Sequence, residues 1–336
     1  MSVKATLITD IEGPSLSSRE KEWLKSPYLG GLILFTRHFQ SIGQLKALVA
    51  EISAINPKLL ITVDHEGGRV QRFREDFSLV PAMGKLGELY LQDASAAKKA
   101  ANACARILAC ELLDAGIHLT YAPVLDINYQ RNNVIGDRSF SNDSNTIIEL
   151  AQCFMQGLKD LDFTVVAKHF PGHGWVSLDS HVACPVDERT LNEIEKSDLM
   201  PFKVLMPSID WIMPAHVVYE NIDTETAGFS EFWLKTILKE ELNFNGRIVS
   251  DDLSMAGAAI KGSYWQRAQA ALNAGCDILL ACNSVAATEE ILAGLGKENI
   301  EPLSLQAYQP SHPKEGILNS YLYLDAKTIL HDLGLL

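Results

Sequence analysis

Long apolar runs are missing from this sequence. No stretch approaches the roughly 18 uninterrupted apolar residues of a helical membrane span, so a membrane-embedded helix is excluded. Paired metal- or redox-type cysteines are also missing. The six cysteines (Cys104, Cys110, Cys153, Cys184, Cys276 and Cys282) form no CxxC pair, and most lie in apolar surroundings, which reads as core packing. Positive charge is in deficit: Lys plus Arg is 29 against 42 for Asp plus Glu, a formal net charge of −13. A chain so acidic repels phosphate backbones and anionic lipid, which excludes nucleic acid or a membrane surface as its main partner and says nothing against a neutral one. No GxGxxG follows the first candidate strand, and Gly67-Gly68 lacks that spacing, so dinucleotide binding has little support. Internal repeats, heptads and low-complexity tracts are absent. The opening MSVKATLITDIEG carries Asp10 and Glu12 where a secretory signal would still be apolar, so a cytoplasmic location is the expectation.

What is present is a regular alternation. Hydrophobic residues make up 47% of the 336 positions, enough for a large core. Short, nearly continuous apolar runs read as strands buried on both faces at 5–9, 31–35, 59–63, 118–123, 164–167, 211–214, 247–250 and 277–281. Helical patterns fall between them, most clearly at 94–113, 145–159, 230–242 and 264–273. Gly116 and Gly275 follow two of these helices at the position where a positive φ is tolerated. About eight β/α alternations predict a single-domain (β/α)8 TIM-type barrel over residues 1–336, with a doubly wound open sheet as the alternative. The stretch from about 297 to 314 reads as a loop, with Pro302, Pro310 and Pro313. A closing helix is expected near 326–333, and 297–336 as a whole is expected to pack as an extension of the barrel.

A barrel collects its chemistry where strands end, and these ends are polar. Asp10, Arg37 with His38, Asp64, Asp126, Lys168 with His169, His216, Asp251 with Asp252, and Asn283 close successive runs. Such a ring points to a charged pocket. The fifth loop reads Lys168-His169-Phe170-Pro171-Gly172-His173-Gly174, followed by Asp179-Ser180-His181. His169 and His173 have HxxxH spacing, which needs a helix to bring both rings to one side. Pro171-Gly172 breaks any helix, so no metal is expected. Asp179 and His181, two apart on extended chain, point the same way. A carboxylate fixes an imidazole's tautomer and raises its pKa, giving a proton donor near neutrality; a surface ion pair is the alternative. Asp64 and Arg72 are suited to clamp sugar hydroxyls, unless the arginines of that loop pair with Glu75 or Asp76 instead. Asp251 or Asp252 places an acid at the barrel mouth as a nucleophile or as a helix cap, and position does not decide between the two.

Taken together, KHFPGHG followed by DSH, VDxEGGRVQR, GDRSF, MPAH and SDDLSM resemble the bacterial β-N-acetylhexosaminidases of glycoside hydrolase family 3. The likeness runs from about Leu7 to Asn283 and is nearest to the single-domain members that act in peptidoglycan recycling. The resemblance implies that Asp251 is the nucleophile, His181 the general acid/base and Asp179 its partner. It further implies that Asp64, Arg72, Arg138, Lys168 and His169 bind the N-acetylglucosamine ring. The implied reaction is retaining removal of terminal β-N-acetylglucosamine from anhydro-N-acetylmuramic acid (muropeptide) fragments, with no metal or organic cofactor. The implied partner is that small carbohydrate alone, bound by a monomer. Two positions depart from the family pattern: His65 stands where Gln is common, and Ser141 where Gly is common.

Overall fold

The computed structural model describes residues 3–131, 133–176, 185–298, 300–312 and 315–336. Eight parallel strands follow the order of the chain: β1 (Val3–Thr9), β2 (Leu29–Leu34), β3 (Leu60–Val63), β4 (Leu119–Thr120), β5 (Val166–Phe170), β6 (Trp211–Pro214), β7 (Arg247–Asp252) and β8 (Ile278–Ala281). Pairing runs β4-β3-β2-β1-β8-β7-β6-β5. A parallel bridge between Val124 and Lys168 joins the two ends of that path, with Leu125 N donating to Lys168 O at 2.7 Å. This is the (β/α)8 barrel, and the open-sheet alternative falls on that closure.

Alternation along the strands sorts side chains into two layers. Ile8, Ile33, Val166, Met213 and Val249 belong to the inner core of the barrel. Leu7, Leu32, Ile212 and Ile248 pack outward against the helices in the larger core. Both layers are buried, which is why the strand sequences carry apolar runs rather than an alternating pattern.

Four expectations needed correction. β4 is two residues long, because the backbone beyond Thr120 leaves regular pairing at Ala122-Pro123 before the bridge at Val124. The helix expected at 230–242 winds as a π-helix over Phe232–Glu241, a wider turn that apolar spacing does not reveal. The stretch read as a loop after 297 contains the strand Ile300–Pro302, which pairs with β1, and a 3-10 turn at Gln306–Tyr308. Leu303 and Leu305 enter the inner core, and the Tyr308 ring meets Trp211 at 4.9 Å, so this segment plugs the end of the barrel where the strands begin. The closing helix is longer than expected, Tyr321–Asp332. It is held to Ala94–Asp114 by the Tyr323 hydroxyl on Glu111 (2.8 Å) and by Asp325 beside Arg106 (3.5 Å).

Candidate active site

A cavity of about 750 Å3 opens at the C-terminal ends of the strands, within the ~300–1,000 Å3 range of small-molecule sites. Asp64, Arg72, Arg138, Lys168, His169 and Asp251 all line it. These six come from four different strands or the loops that follow them, and the fold brings them together. Asp179 and His181, with Cys184, lie outside the described residues.

The cavity wall includes a buried charge cluster. Lys168, 2% exposed, places its ammonium 2.9 Å from Asp64 Oδ1 and 2.6 Å from Glu66 Oε1. Arg138 reaches the same Glu66 with two bonds of 2.8 Å, Nε to Oε2 and Nη2 to Oε1, in the bidentate geometry that suits guanidinium and carboxylate. Arg72 completes the group at 3.4 Å from Asp64. Burial alone would push both carboxyls up. Lys168 and Arg72 outweigh it at Asp64, and Arg138 and Lys168 at Glu66, so both are held below the usual carboxylate range. Arg72 thus pairs with Asp64 rather than with Glu75 or Asp76. Arg74 bonds Gly68 O at 2.6 Å, and Arg69 bonds Asn133 O at 2.7 Å.

Glu66 was not anticipated. An acid three residues past a strand end reads as solvated unless its partners, far along the chain, are known. Its place in VDxEGGRVQR was the only signal.

Asp126 organises the histidines. Its Oδ2 takes His169 Nδ1 at 2.7 Å, and its Oδ1 takes the backbone N–H of His173 at 2.7 Å. Burial pushes this carboxyl up, but the His169 imidazole and these bonds outweigh it, and its pKa is lowered. With Nδ1 turned to Asp126, His169 presents Nε2 for other contacts. The rings of His169 and His173 lie 5.8 Å apart. The Pro-Gly break therefore does not separate them, because β5 ends at Phe170 and the chain folds straight back. Burial lowers the His173 pKa to about 4 and leaves that ring neutral. Among the described residues no group of three or more His, Cys, Asp or Glu is arranged to hold a metal.

The two adjacent acids of β7 differ in surroundings. Asp252 caps its own turn. Its Oδ1 accepts Ser254 N (2.9 Å), Ser254 Oγ (2.8 Å) and Cys282 N (2.9 Å), and burial pushes its pKa up to about 6. Asp251 receives the backbone N–H of Asp252 at 2.8 Å.

Residues flanking 177–184 are anchored on both sides. Tyr219 donates to Gly172 O at 2.6 Å, and Val186–Asp187 pairs with Val218–Tyr219. The Arg189 guanidinium bonds Asp187 and Asp198 and lies 4.5 Å over the Trp175 ring, so the two flanks touch. His65 sits behind the cavity wall, 5.7 Å from each of the Phe73 and Phe77 rings. Burial lowers its pKa to about 3, so the imidazole there is a neutral packing group.

The comparisons with known proteins agree with one another. Residues 3–306 match the glycosyl hydrolase family 3 N-terminal domain. A β-hexosaminidase of Nitrosospira multiformis is 50% identical over 291 residues, covering 86% of this chain and 83% of the relative. One of Tolumonas auensis is 51% identical over 292 residues, covering 86% of each. Native NagZ from Neisseria gonorrhoeae superposes with a TM-score of 0.89 at 41% identity, over 99% of this chain and 98% of that one. The same enzyme in complex with N-trifluoroacetyl-D-glucosamine gives 0.88 at 41% identity over the same shares. The barrel, the polar ring at its mouth and these likenesses agree: the chain belongs to glycosyl hydrolase family 3 and groups there with the β-hexosaminidases.

Proposed function

We propose that this enzyme is a retaining exo-β-N-acetylglucosaminidase that removes terminal β-linked N-acetylglucosamine from anhydro-N-acetylmuramic acid fragments. The observation that carries the reading is the layout of the cavity. Asp64, Lys168 and Arg138, the last two tied together by Glu66, line the cavity, and Asp251 lines it from β7. Directional donors and acceptors in a buried cluster suit the hydroxyls of a terminal sugar, which is the fit an exo-acting enzyme needs. A related NagZ is seen with an N-acylated glucosamine, which supports the sugar class.

The chemistry follows from the residue types. The Asp251 carboxylate attacks the anomeric carbon through an oxocarbenium-like transition state. His181, oriented by Asp179, gives its proton to the departing oxygen. A covalent glycosyl-enzyme forms. His181 then takes a proton from the water that attacks the anomeric carbon, and Asp251 leaves as a carboxylate. Lys168, Arg138, Asp64, Arg72 and His169 hold the ring in place, and no step calls for a metal. On this reading the enzyme acts as a monomer in the cytoplasm on a small carbohydrate.

The test is p-nitrophenol release from p-nitrophenyl β-N-acetylglucosaminide beside the β-glucoside. Fast release from the first alone, abolished in Asp251→Asn with N-acetylglucosamine binding retained, is the expected result. Equal cleavage of the β-glucoside would move the substrate, and unchanged turnover in Asp251→Asn would move the nucleophile.

A further inference from the structure

A second cavity, of about 320 Å3, lies beside the first and is not used by the chemistry above. Its walls are Asp10 and Glu12 after β1, Arg37 after β2, Asn283 and Val285 after β8, and Trp23 from the helix Ser18–Trp23. Asn283 lines both cavities. Arg37 stands with it in the partition, donating to Asn283 Oδ1 at 2.8 Å and to Asp10 Oδ2, while its guanidinium lies 4.8 Å over the Phe35 ring. Phe35 lines the first cavity, and Arg72 lies 5.5 Å from the same ring. A continuous wall therefore leads from the Asp64 cluster past Phe35 to Arg37 and Asp10.

Position around the barrel gives this neighbour its meaning. The sugar-clamping residues follow β3, β4 and β5, and Asp251 ends β7. The neighbouring sector, after β8, β1 and β2, carries none of the residues assigned to the terminal ring and adjoins Asp251 through the pairing of β7 with β8. The second cavity occupies that sector. Its lining is of the kind that holds a sugar: an indole for the apolar face of a pyranose, with a carboxylate, an amide and a guanidinium around it for hydroxyls. Asp10 neutralises Arg37, and Arg19 lies 2.7 Å from Glu12, so the wall carries little net charge.

We propose that the second cavity seats the leaving-group sugar, the ring on the far side of the scissile bond, with Trp23 as its platform and Arg37 and Asn283 as its polar contacts. The proposal rests on the exo-glycosidase reading and adds where the rest of the substrate lies.

Two variants test it without touching the residues around the terminal sugar. Trp23→Ala removes the platform, and Val285→Trp fills the cavity while leaving every polar pair in place. Each is measured on p-nitrophenyl β-N-acetylglucosaminide and on the disaccharide of β-N-acetylglucosamine linked to anhydro-N-acetylmuramic acid, with and without its peptide. The expected result is kcat/KM within about twofold of the parent enzyme on the aryl glycoside and a fall of roughly tenfold or more on both disaccharides. Equal losses on all substrates, or no loss on the disaccharides in either variant, would overturn the proposal. A loss confined to the peptide-bearing form would overturn it in favour of a peptide site. A parent enzyme that cleaves the aryl glycoside but neither disaccharide would refute the functional reading itself, and that measurement comes first.

Discussion

Glu66 grips Arg138 with both carboxylate oxygens, each bond 2.8 Å, across 72 residues of sequence and at a position only 4% exposed. Lys168 shares the same carboxylate, so one acid holds two of the cations expected to meet the sugar. Removing one member of a buried pair costs about 3–5 kcal/mol, because its partner stays charged and buried. Glu66→Ala is therefore expected to lower the denaturant midpoint clearly and to weaken N-acetylglucosamine binding. Glu66→Gln keeps the shape and one acceptor and is expected to be milder in both. Chemical denaturation and a sugar titration check this; a Glu66→Ala variant with the parent's midpoint and sugar affinity would show that the buried pairs of Glu66 do not hold the site.

Asp126 offers a separate test of orientation. Its carboxylate receives the His169 ring and the His173 backbone together. Asp126→Asn replaces one acceptor oxygen by a donor and frees His169 to turn. Hydrogen bonds to charged groups contribute about 1.5–3 kcal/mol, so the inhibition constant for N-acetylglucosamine is expected to rise roughly tenfold or more. An unchanged constant would remove His169 from the binding set.

His181→Ala bears on the acid/base role assigned by resemblance. General acid catalysis typically contributes about 10²–10⁴-fold, and most where the leaving group is poor. The variant is expected to lose far more activity on the anhydro-muramyl disaccharide than on a p-nitrophenyl glycoside. Azide, which needs no general base, is expected to restore turnover of the latter. Equal losses on both substrates would argue against His181 as the proton donor.

Stability should depend on pH through two opposing groups of acids. Asp252 keeps its proton up to about pH 6 in the fold, against 3.8 for the free group. Its neutral form favours the folded state, so this contribution is complete below about pH 4 and is lost as pH rises through about 6. Asp64, Glu66 and Asp126 have lowered pKa values, and their contribution is present above their free values and lost in acid. Asp252→Asn is expected to gain stability relative to the parent near about pH 8 and to show less gain near about pH 5. The Ser254 hydroxyl, which bonds Asp252 Oδ2 at 2.7 Å, can accept from the new amide. Unfolding midpoints that differ by the same amount at both values would show that Asp252 does not titrate in this window.

The barrel was largely legible, for a physical reason. Strands buried on both faces must be apolar throughout, and such runs stand out from amphipathic helices. Even there, local reading failed where geometry depends on distant partners. The strand Ile300–Pro302 exists because β1 offers it an edge, and Pro302 had argued for a loop. The polar ring was visible at the strand ends, yet Glu66 and Asp126 gained their importance only from residues far along the chain. Asp251 and Asp252 look alike as letters. Only the fold shows that Asp252 is bound to Ser254 and Cys282 while both face the cavity. Asp179 and His181 lie outside the described residues, so their roles rest on their spacing and on the resemblance.

The first strand of this barrel is flanked by β2 on one side and by β8 on the other. During synthesis the β2 side can be covered early, whereas the β8 partners emerge about 270 residues later. Until then β1 presents bare N–H and C=O groups, the usual starting point for pairing with a neighbouring chain. The ribosome thus leaves the nascent chain with an open seam that closes only once Ile278–Ala281, in the last fifth of the sequence, has been made.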